Sequence, residues 1–438
     1  MRHEATRSAR LLKRLLKVAV AASHPARAVA VHLPPRPAGR ITVVGAGKAA
    51  AAMARAVEQS WGPPLSGLVI VPDGHAMPCR FIEVVEAAHP VPDARGEAAS
   101  RRLLAMAEAL REKDFLLVLV SGGGSALMSL PQPGISMADK QAVTRALLHC
   151  GAPIAEINRV RRHLSAIKGG RLAAAAWPAR TLALIISDVP GDDPAIIASG
   201  PTVSDGSTAA DALATLQRWR IAVPDAVRAC LQRQLDNPAI AAPLPDDVRL
   251  SRTEWCIMAT PAHSLAAAAA EARRLGLNVM NLGDRIEGEA REVARRHARL
   301  AGLVASGAHA LRPPALILSG GELTVTVRNP QGRGGPNGEY ALALGLALIP
   351  WHDPGHTTCP RRTIVALAAD TDGRDGSENN AGALLRPDTL ARARACGVNP
   401  RQALQENDSW AVFAASGDLL VTGPTFTNVN DFRAILVT

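Results

Sequence analysis

Short aliphatic runs alternate along the first half of the chain with longer segments of helical character. The runs typical of buried strands are ITVV (41–44), LSGLVIV (65–71), FLLVLV (115–120) and RTLALII (180–186). The helical segments are 48–59, 94–112, 137–151 and 157–177, the last broken at Gly169–Gly170. Strands and helices that alternate at about 30-residue spacing predict a parallel sheet with helices on both faces.

The pattern changes after residues 237–252, a stretch rich in Pro, Asp and Arg that is typical of a domain boundary. Beyond it, short apolar runs alternate with turns, as in PALILSGGELTVTV (314–327), RTIVALAADTDGRDG (362–376) and DLLVTGPTFTNVND (418–431). This texture predicts a mixed sheet. We therefore expect an N-terminal domain over 1–240 and a C-terminal domain over 241–438.

The N-terminal segment starts basic and then becomes apolar. Lys13, Arg14 and Lys17 interrupt its apolar part, whereas a signal peptide needs an unbroken core. The leucines at 11, 12, 15 and 16 follow helical spacing and predict an amphipathic helix packed on the first domain. We expect a cytoplasmic protein.

Composition narrows the class of protein. Of 438 residues, 47% are hydrophobic and 20% charged, which excludes disorder for most of the chain. No window approaches the roughly 18 uninterrupted apolar residues of a membrane span. Aromatic residues make only 3%, which disfavours a nucleic-acid binder built on base stacking. Six scattered cysteines, Cys359 among them, form no CxxC pair, so we expect no zinc site and no disulfide framework.

The net charge of +10 comes mainly from dispersed arginines, since the chain has only six lysines. An arginine- and alanine-rich composition often reflects coding bias, although a basic chain also suits an anionic substrate. In such a chain a lysine inside a glycine-rich motif is informative. Lys48 is that lysine, in Gly45-Ala46-Gly47-Lys48-Ala49-Ala50.

The turn from Gly45 to Ala50 has three interpretations. It fits the dinucleotide fingerprint G-x-G-x-x-G/A, with Asp73 as a candidate ribose ligand. Alternatively, the helix N-terminus and Lys48 together neutralise an anion such as a phosphoryl group. The third interpretation is a tight turn that needs small residues for packing.

Two further loops put Ser-Gly-Gly after an aliphatic strand. They are Ser121-Gly122-Gly123-Gly124-Ser125 and Ser319-Gly320-Gly321-Glu322. Glycines at the carboxyl edge of a sheet leave backbone N–H groups unshielded, which suits an anion nest. We expect a cofactor to be bound by Gly45, Gly47, Ser121, Gly122, Gly123, Gly124, Ser125, Lys168, Gly320, Gly321 and Glu322.

Aspartates gather beside glycines in two turns. Asp188 and Asp192 follow the strand LALII, whereas Asp372 and Asp375 follow IVALAA. Such carboxylates suit Mg²⁺ shared with substrate phosphates, and they equally suit Asx-turns that need no metal.

A basic helical segment runs from Asn158 to Arg171. Within it Arg161, Ser165 and Lys168 share one helix face and suit a clamp for a carboxylate or phosphates. A solvated basic face is the alternative. His163, in the same segment, is expected to be structural.

These motifs occur in an order that resembles the glycerate 2-kinase family with its C-terminal MOFRL domain, whose members are also labelled hydroxypyruvate reductases. The resemblance spans nearly the whole chain and rests on GAGKAA, LVSGGGSAL, NRVRRHLSAIKGGRLA, SDVPGDDPAIIASGPT, LSGGE, TDGRDG and TGPTFTNVND. It implies a Rossmann-like parallel α/β/α N-terminal domain, a smaller C-terminal α/β domain and an active site in the cleft between them.

The resemblance also implies ATP-dependent phosphorylation of the 2-hydroxyl of D-glycerate with Mg²⁺, and it places the active-site lysine at Lys48. We expect Asp188 and Arg161 to assist in catalysis. No nucleic acid or membrane is expected as a partner, and a homo-oligomer is compatible with the sequence.

Departures from the family pattern fall in the C-terminal half. Where the family has GGRNQE, this chain has Pro336 for the arginine and Gly338 for the glutamine. Asn379 replaces a carboxylate, and Phe426 begins the GTNVND block. Arg333 lies three residues earlier, and there are two alternatives: either it substitutes for the lost arginine, or the pocket is refitted for another substrate. The alternatives to a kinase are an NAD(P)-dependent hydroxypyruvate reductase and a catalytically silent anion-binding paralogue.

Overall fold

The computed structural model describes residues 2–352 and 362–438, and Cys359 lies outside this range. The other five cysteines, at 79, 150, 230, 256 and 396, are free thiols. Among the residues described, no helix is both long and apolar enough to cross a membrane.

Fourteen strands are present in the described ranges. They are β1 Ile41–Ala46, β2 Ser66–Pro72, β3 Ile82–Ala87, β4 Phe115–Val120, β5 Arg180–Ile186, β6 Thr253–Ala259, β7 Asn278–Asn281, β8 Gly288–Glu289, β9 Ala315–Ser319, β10 Leu323–Thr324, β11 Ile364–Asp370, β12 Gly382–Leu385, β13 Leu419–Leu420 and β14 Asp431–Val437.

The α-helices of the same ranges are α1 Arg2–Ala22, α2 Pro25–His32, α3 Ala50–Trp61, α4 Ala94–Glu108, α5 Gly124–Leu127, α6 Met137–His149, α7 Ile154–His163, α8 Arg171–Ala176, α9 Ala209–Arg218, α10 Asp225–Asp236, α11 Pro261–Arg274, α12 Ala290–Ala305, α13 Pro336–Ala347, α14 Ile349–His352, α15 Thr389–Ala395, α16 Pro400–Gln405 and α17 Ser409–Ser416.

Residues 25–258 form one compact unit, here called the parallel-sheet unit. Its six strands lie in the order β3-β2-β1-β4-β5-β6, and the pairs from β3 to β5 run parallel. β1 and β4 are buried along their whole length, as their continuous aliphatic runs require. The predicted α/β architecture is confirmed, although the half-buried strand β3 was not predicted.

Residues 1–24 and 259–438 form the second unit, here called the mixed-sheet unit. Its main sheet has the order β13-β12-β11-β14-β9-β7. The pairs from β13 to β9 are antiparallel, whereas β7 and β9 are parallel, so the predicted mixed sheet is confirmed. Strand β14, which pairs with both β11 and β9, was not predicted.

The prediction that the N-terminal helix packs on the first domain is wrong. Helix α1 is amphipathic as expected, but it buries Leu12 and Leu15 against Leu265 of α11 and against the mixed sheet. Leucine spacing identifies the buried face of a helix but carries no information about which distant surface covers that face. The predicted boundary at 240/241 stays a prediction about domains, while the compact units divide after Met258.

Candidate functional site

The parallel-sheet unit reverses its strand order between β1 and β4, and ligands of such sheets bind at the carboxyl ends beside this point. The turn Gly45–Lys48 follows β1 and the loop Ser121–Ser125 follows β4, so the fold brings the two motifs together. Lys48 N–H donates to the Gly122 carbonyl at 2.9 Å, and Ala49 N–H donates to Ser121 Oγ at 3.0 Å.

Gly45 and Gly47 shape this junction. A Cβ on Gly45 would overlap the carbonyl oxygen of Leu119, and one on Gly47 would overlap Ser121 Oγ. Gly47 also has φ +138°, in the region that favours glycine. Their predicted ligand-binding role stays a prediction, but the structure supports a role through packing of the turn.

The N–H groups of the turn are already used inside the protein. Gly47 donates to the Ile70 carbonyl at 3.0 Å, and Ala50 donates to the Gly47 carbonyl at 3.1 Å. Together with the bonds of Lys48 and Ala49, four successive amides therefore have protein acceptors. Three of these amides donate to the neighbouring strand and loop and the fourth donates within the turn, and anion binding by the N-terminus of α3 stays a prediction.

The loop after β4 keeps its amides open. Within the described chain, the N–H groups of Gly122 and Gly123 have no hydrogen-bond acceptor. Gly123 has φ +81°, and a Cβ built on it would lie 3.5 Å from Lys48 Cγ. The Lys48 side chain therefore passes close to Gly123, and anion binding by this loop stays a prediction.

Ser125 connects this loop to the basic segment. Arg161 Nη2 and Lys168 Nζ each donate to Ser125 Oγ at 3.1 Å, and Lys168 also donates to the Ser125 carbonyl. The second hydroxyl at this point is Ser199 Oγ, 2.8 Å from Ser125 Oγ. Arg161 and Lys168 thus converge as predicted. Ser165 instead hydrogen-bonds the Leu130 carbonyl at 3.2 Å.

Lys140 belongs to the same cluster and was missed by sequence reasoning. It lies buried on α6 and its ammonium donates to Ser129 Oγ at 3.3 Å. Burial and the charge of Arg161 lower the pKa of Lys140 to about 7. The sequence signal for Lys140 was the rarity of lysine in this chain. A lysine within a predicted helix gives no indication of burial until the fold is known.

The neighbouring residues Arg162 and His163 have structural partners. Arg162 pairs with Asp205 at 2.7 Å, and both side chains are nearly buried. His163 Nε2 lies 3.0 Å from Ser207 Oγ, and burial together with Arg171 lowers its pKa to about 4. A buried neutral imidazole with a hydroxyl partner agrees with the predicted structural role.

Asp188 and Asp192 follow the carboxyl end of β5, beside β4 in the sheet. Asp188 is partly exposed. Asp192 has φ +57°, and its Oδ1 atom is buried with no hydrogen-bond partner in the described residues. No group of three His, Cys, Asp or Glu side chains suitable for a metal occurs in residues 2–352 and 362–438. The orphaned oxygen nevertheless fits a cation that arrives with its own phosphate ligands.

The loop Ser319–Glu322 lies in the mixed-sheet unit, after β9. Gly320 N–H donates to the Gly283 carbonyl at 2.8 Å, and Arg433 donates to the Gly320 carbonyl. A Cβ on Gly321, at φ +94°, would overlap the backbone of Ile286. Cofactor binding by Gly320, Gly321 and Glu322 stays a prediction, and the structure supports a packing role for the two glycines.

Asp372 and Asp375 are both buried in the second acidic turn. Asp372 accepts the Arg374 N–H at 2.7 Å, as in an Asx-turn. Asp375 accepts the amides of Asn337 and Gly338 at 2.9 and 2.7 Å, at the first turn of α13. Burial raises the pKa of Asp375 to about 7. Their predicted role as magnesium ligands stays a prediction, and the geometry supports capping of α13.

Comparison with known proteins gives the family. The family model "Domain of unknown function (DUF4147)" matches residues 11–232, and the model "MOFRL family" matches residues 315–431. The chain belongs to the glycerate 2-kinase family with a MOFRL domain. The resemblance drawn from the sequence is thereby confirmed.

Two relatives show the range of names within this family. A protein of Agrobacterium vitis named "Putative hydroxypyruvate reductase" is 48% identical over 98% of this chain and 94% of its own length. The "D-glycerate 2-kinase" of Thermotoga maritima is 37% identical over 95% of each chain. The crystal structure of glycerate kinase from Thermotoga maritima matches with a TM-score of 0.86 at 36% identity, covering 98% of this chain and 99% of that one.

The departures from the family pattern fit their local structure. Pro336 is the first residue of α13, where a missing N–H costs nothing. A Cβ on Gly338 would lie 2.6 Å from Ser409 Oγ, so a glutamine there requires Ser409 to move. Arg333 forms a two-pronged ion pair with Glu378 at 2.8 and 2.9 Å and lies 3.6 Å from the ring centroid of Trp410. Asn379 is exposed.

Proposed function

We propose that this chain catalyses ATP-dependent phosphorylation of the 2-hydroxyl of D-glycerate or a related small 2-hydroxy acid. The proposal is supported by the kinase relative and by the structural match to a glycerate kinase over nearly the full chain. The small-molecule substrate, the nucleotide and a cytoplasmic location are parts of the same proposal.

One observation carries the choice of reaction. In a dinucleotide fold the amides that open the first helix hold the pyrophosphate, but here Gly47, Lys48, Ala49 and Ala50 donate to protein acceptors. The candidate ribose ligand Asp73 is held by Arg95 through two bonds of 2.8 and 2.9 Å. Within the described residues the Gly122 and Gly123 amides have no acceptor, and together with the nearby Lys48 they suit a phosphoryl group.

In the proposed reaction the 2-hydroxyl oxygen of the acid bonds to the γ-phosphorus of ATP, and the β,γ-bridging oxygen leaves with ADP. The Lys48 ammonium and the two glycine amides stabilise the charge on the oxygens of the transferred group. Asp188 is the proposed acceptor of the hydroxyl proton. It follows the strand beside β4 and is partly open to solvent.

Asp188 and Asp192 would hold the Mg²⁺ of the nucleotide, and the orphaned Asp192 Oδ1 supports this choice. Such an ion would offset the negative charge of the phosphate groups. Mg²⁺ keeps several waters and prefers one or two carboxylates plus phosphates. We therefore expect calorimetry to show no sub-micromolar Mg²⁺ binding until nucleotide is present.

A coupled ADP-release assay over three- and four-carbon hydroxy acids tests the proposal. We expect saturable, ATP-dependent turnover with at least one 2-hydroxy acid. No ADP release with any acid would overturn the proposed activity and favour the silent anion-binding paralogue.

A second activity, reduction of hydroxypyruvate, is favoured by the names of two relatives that are 48% and 45% identical and by the GxGxxA spacing. The pure protein is tested with hydroxypyruvate and NADH or NADPH by absorbance at the nicotinamide band. We expect no turnover, and saturable cofactor oxidation would replace the kinase proposal by the reductase.

A further inference from the structure

We propose that Arg161, Lys168 and Lys140, gathered around Ser125 and Ser129, form the subsite that binds the carboxylate of the substrate acid. This inference rests on the proposed function and deepens it, because it assigns the group by which the enzyme selects acids over neutral polyols. It also adds Lys140, which no motif marked.

The three cations lack anionic partners. Across residues 2–352 and 362–438, neither Lys140, Lys168 nor Arg161 forms an ion pair with a carboxylate. Arg162, next in the same helix, does have one in Asp205, at 2.7 Å. Among the described residues, the nearly buried Arg162 thus has a carboxylate partner, whereas the three cations of the cluster have none.

The cluster has a buried floor and a more open rim. Lys168 and Lys140 are 1% and 5% exposed, while Arg161 and Ser125 are only half-buried. Arg161 uses Nη1 to hold Asn158 Oδ1 at 3.0 Å and Nη2 to hold Ser125 Oγ. A guanidinium has five N–H donors, so further donors remain for a ligand on the open side.

Electrostatics supports an anion at this point. Burying cations without a counter-charge is costly, and a removed partner leaves an unfavourable free energy that a bound anion relieves. Burial first, and then the neighbouring cations Lys140, Arg161 and Arg162, lower the pKa of Lys168. The pKa of Arg161 is lowered by burial and by Arg162.

The position of Ser125 favours a carboxylate over a phosphate. Ser125 directly follows the Gly122–Gly124 loop, whose open amides and Lys48 already provide a phosphoryl site. A small hydroxy acid carries its carboxylate one carbon from the reacting hydroxyl, so its anion site must adjoin the phosphoryl site. The planar guanidinium of Arg161 also matches the two oxygens of a carboxylate.

Nucleotide-free titration calorimetry tests the subsite separately from the kinase reaction. The probes are D-glycerate and its neutral amide, glyceramide. We expect the wild type to bind glycerate at least about tenfold more tightly than glyceramide, and Arg161→Gln and Lys168→Met to remove most of this difference. Equal affinity of the wild type for the two probes, or unchanged selectivity in both variants, would overturn the inference.

Lys140 is tested as a positioning residue that acts through charge. Lys140→Met should weaken glycerate binding less than Lys168→Met does, because Lys140 reaches Ser129 rather than Ser125, and it should leave glyceramide binding unchanged. The matched control is Arg145→Gln, an exposed cation on the same helix, which should change nothing. Equal losses in Lys140→Met and Arg145→Gln would refute the role of Lys140.

Steady-state kinetics separates the two possible anions. Arg161→Lys keeps the charge but loses the fork, and we expect KM for glycerate to rise with KM for ATP unchanged. A rise in KM for ATP alone would assign the cluster to nucleotide phosphate and overturn the carboxylate subsite. Thermal unfolding of each variant shows whether it is folded. If Arg161→Gln or Lys168→Met does not fold, the conservative variant Arg161→Lys is used for the test instead. If the wild type releases no ADP but binds glycerate selectively, the proposed function fails while the subsite stands.

Discussion

Two loops of this chain share Ser-Gly-Gly after an aliphatic strand, and the structure surrounds them differently. Around Ser121–Ser125, Gly122 and Gly123 keep their amides open and Lys48, Arg161 and Lys168 stand beside the loop. Around Ser319–Glu322, the Gly320 amide is bonded and Arg433 donates to the loop. The same Ser-Gly-Gly motif thus lies beside a cluster of cations in the parallel-sheet unit and beside a buried, ion-paired arginine in the mixed-sheet unit.

Arg433 explains the second environment. It is 1% exposed, pairs with Asp431 at 2.7 Å and donates to Ser319 Oγ at 3.3 Å. Asp431 in turn accepts from Asn337 Nδ2 at 2.6 Å. A cation with its own buried carboxylate needs no ligand, whereas Arg161 and Lys168, which contact Ser125, have no carboxylate partner in the described residues. The presence or absence of a paired carboxylate therefore distinguishes the two loops better than the glycines do.

Arg433→Met should have the largest effect on stability. It leaves the nearly buried carboxylate of Asp431 without its cation, and breaking such a pair costs about 3–5 kcal/mol. Chemical denaturation measures the loss. The control is Arg102→Met, which removes an exposed pair with Glu83 and should cost at most about 1 kcal/mol. Equal, small losses in both variants would show that Arg433 is not a brace.

Lys48→Met should have the largest effect on turnover. Loss of one preorganised donor to a developing charge lowers kcat by roughly 10²-fold or more, and nucleotide binding should weaken less. Lys113→Met, at an exposed lysine of the same unit, is the control for ADP release. Wild-type turnover in Lys48→Met would remove this lysine from the reaction.

Alanine substitutions at Gly321, Gly283 and Gly123 separate effects on turnover from effects on unfolding free energy. Gly321→Ala combines φ +94° with overlap on Ile286, so we expect a loss of about 2–3 kcal/mol in unfolding free energy. Gly283→Ala, at φ +92° in open space, should cost about 1 kcal/mol. Gly123→Ala places its methyl 3.1 Å from the His89 ring, within the loop proposed to bind the phosphoryl group. We therefore expect a loss of kcat that exceeds what its loss of unfolding free energy would explain. A Gly123→Ala enzyme with normal turnover would contradict the nest.

The fold was predictable from the sequence to the extent that it depends on local periodicity. The four aliphatic runs of the parallel sheet became β1, β2, β4 and β5, because a strand buried on both faces must be apolar throughout. The packing of α1 was not predictable, since its leucines fit any apolar surface. Helix α13 was not predicted, although proline is favoured at a helix start and Pro336 is its first residue.

The candidate site was predictable in its parts but not in its connections. Lys48 and the Ser121 loop carry visible motifs, and parallel strands bring their carboxyl ends together. That the amides of the turn are consumed by Ser121 and Gly122 depends on side-by-side packing that no local pattern encodes. Lys140 escaped for the same reason, because its burial arises from the contacts of α6 rather than from its sequence.

The stability of the protein at acidic pH tests whether the buried side chain of His163 is held in its neutral form. The pKa of His163 is lowered to about 4 from an unfolded value of 6.5, so the unfolded chain binds more protons between these values. This contribution to stability is complete above pH 6.5 and is lost as the pH falls, by about 2 kcal/mol at pH 5. We expect denaturation to show this loss in the wild type and not in His163→Gln, with turnover of the variant preserved. An unchanged pH profile would show that the imidazole is not held neutral.

The smallest expected effect is that of Arg333→Ala, in the mixed-sheet unit. Arg333 is engaged by Glu378 and Trp410, and its side chain is 47% exposed, so its removal should cost at most about 1 kcal/mol. Because the guanidinium already has these partners, we expect unchanged ADP release, and a collapse of turnover would show instead that Arg333 replaces the family arginine.

Pro336→Arg alone completes the test, since Gly338→Gln would press on Ser409. If the lost arginine is what limits turnover, Pro336→Arg should raise kcat/KM for D-glycerate by about tenfold, equivalent to about 1.4 kcal/mol. Pro336→Ala, which restores the N–H without the charge, should not.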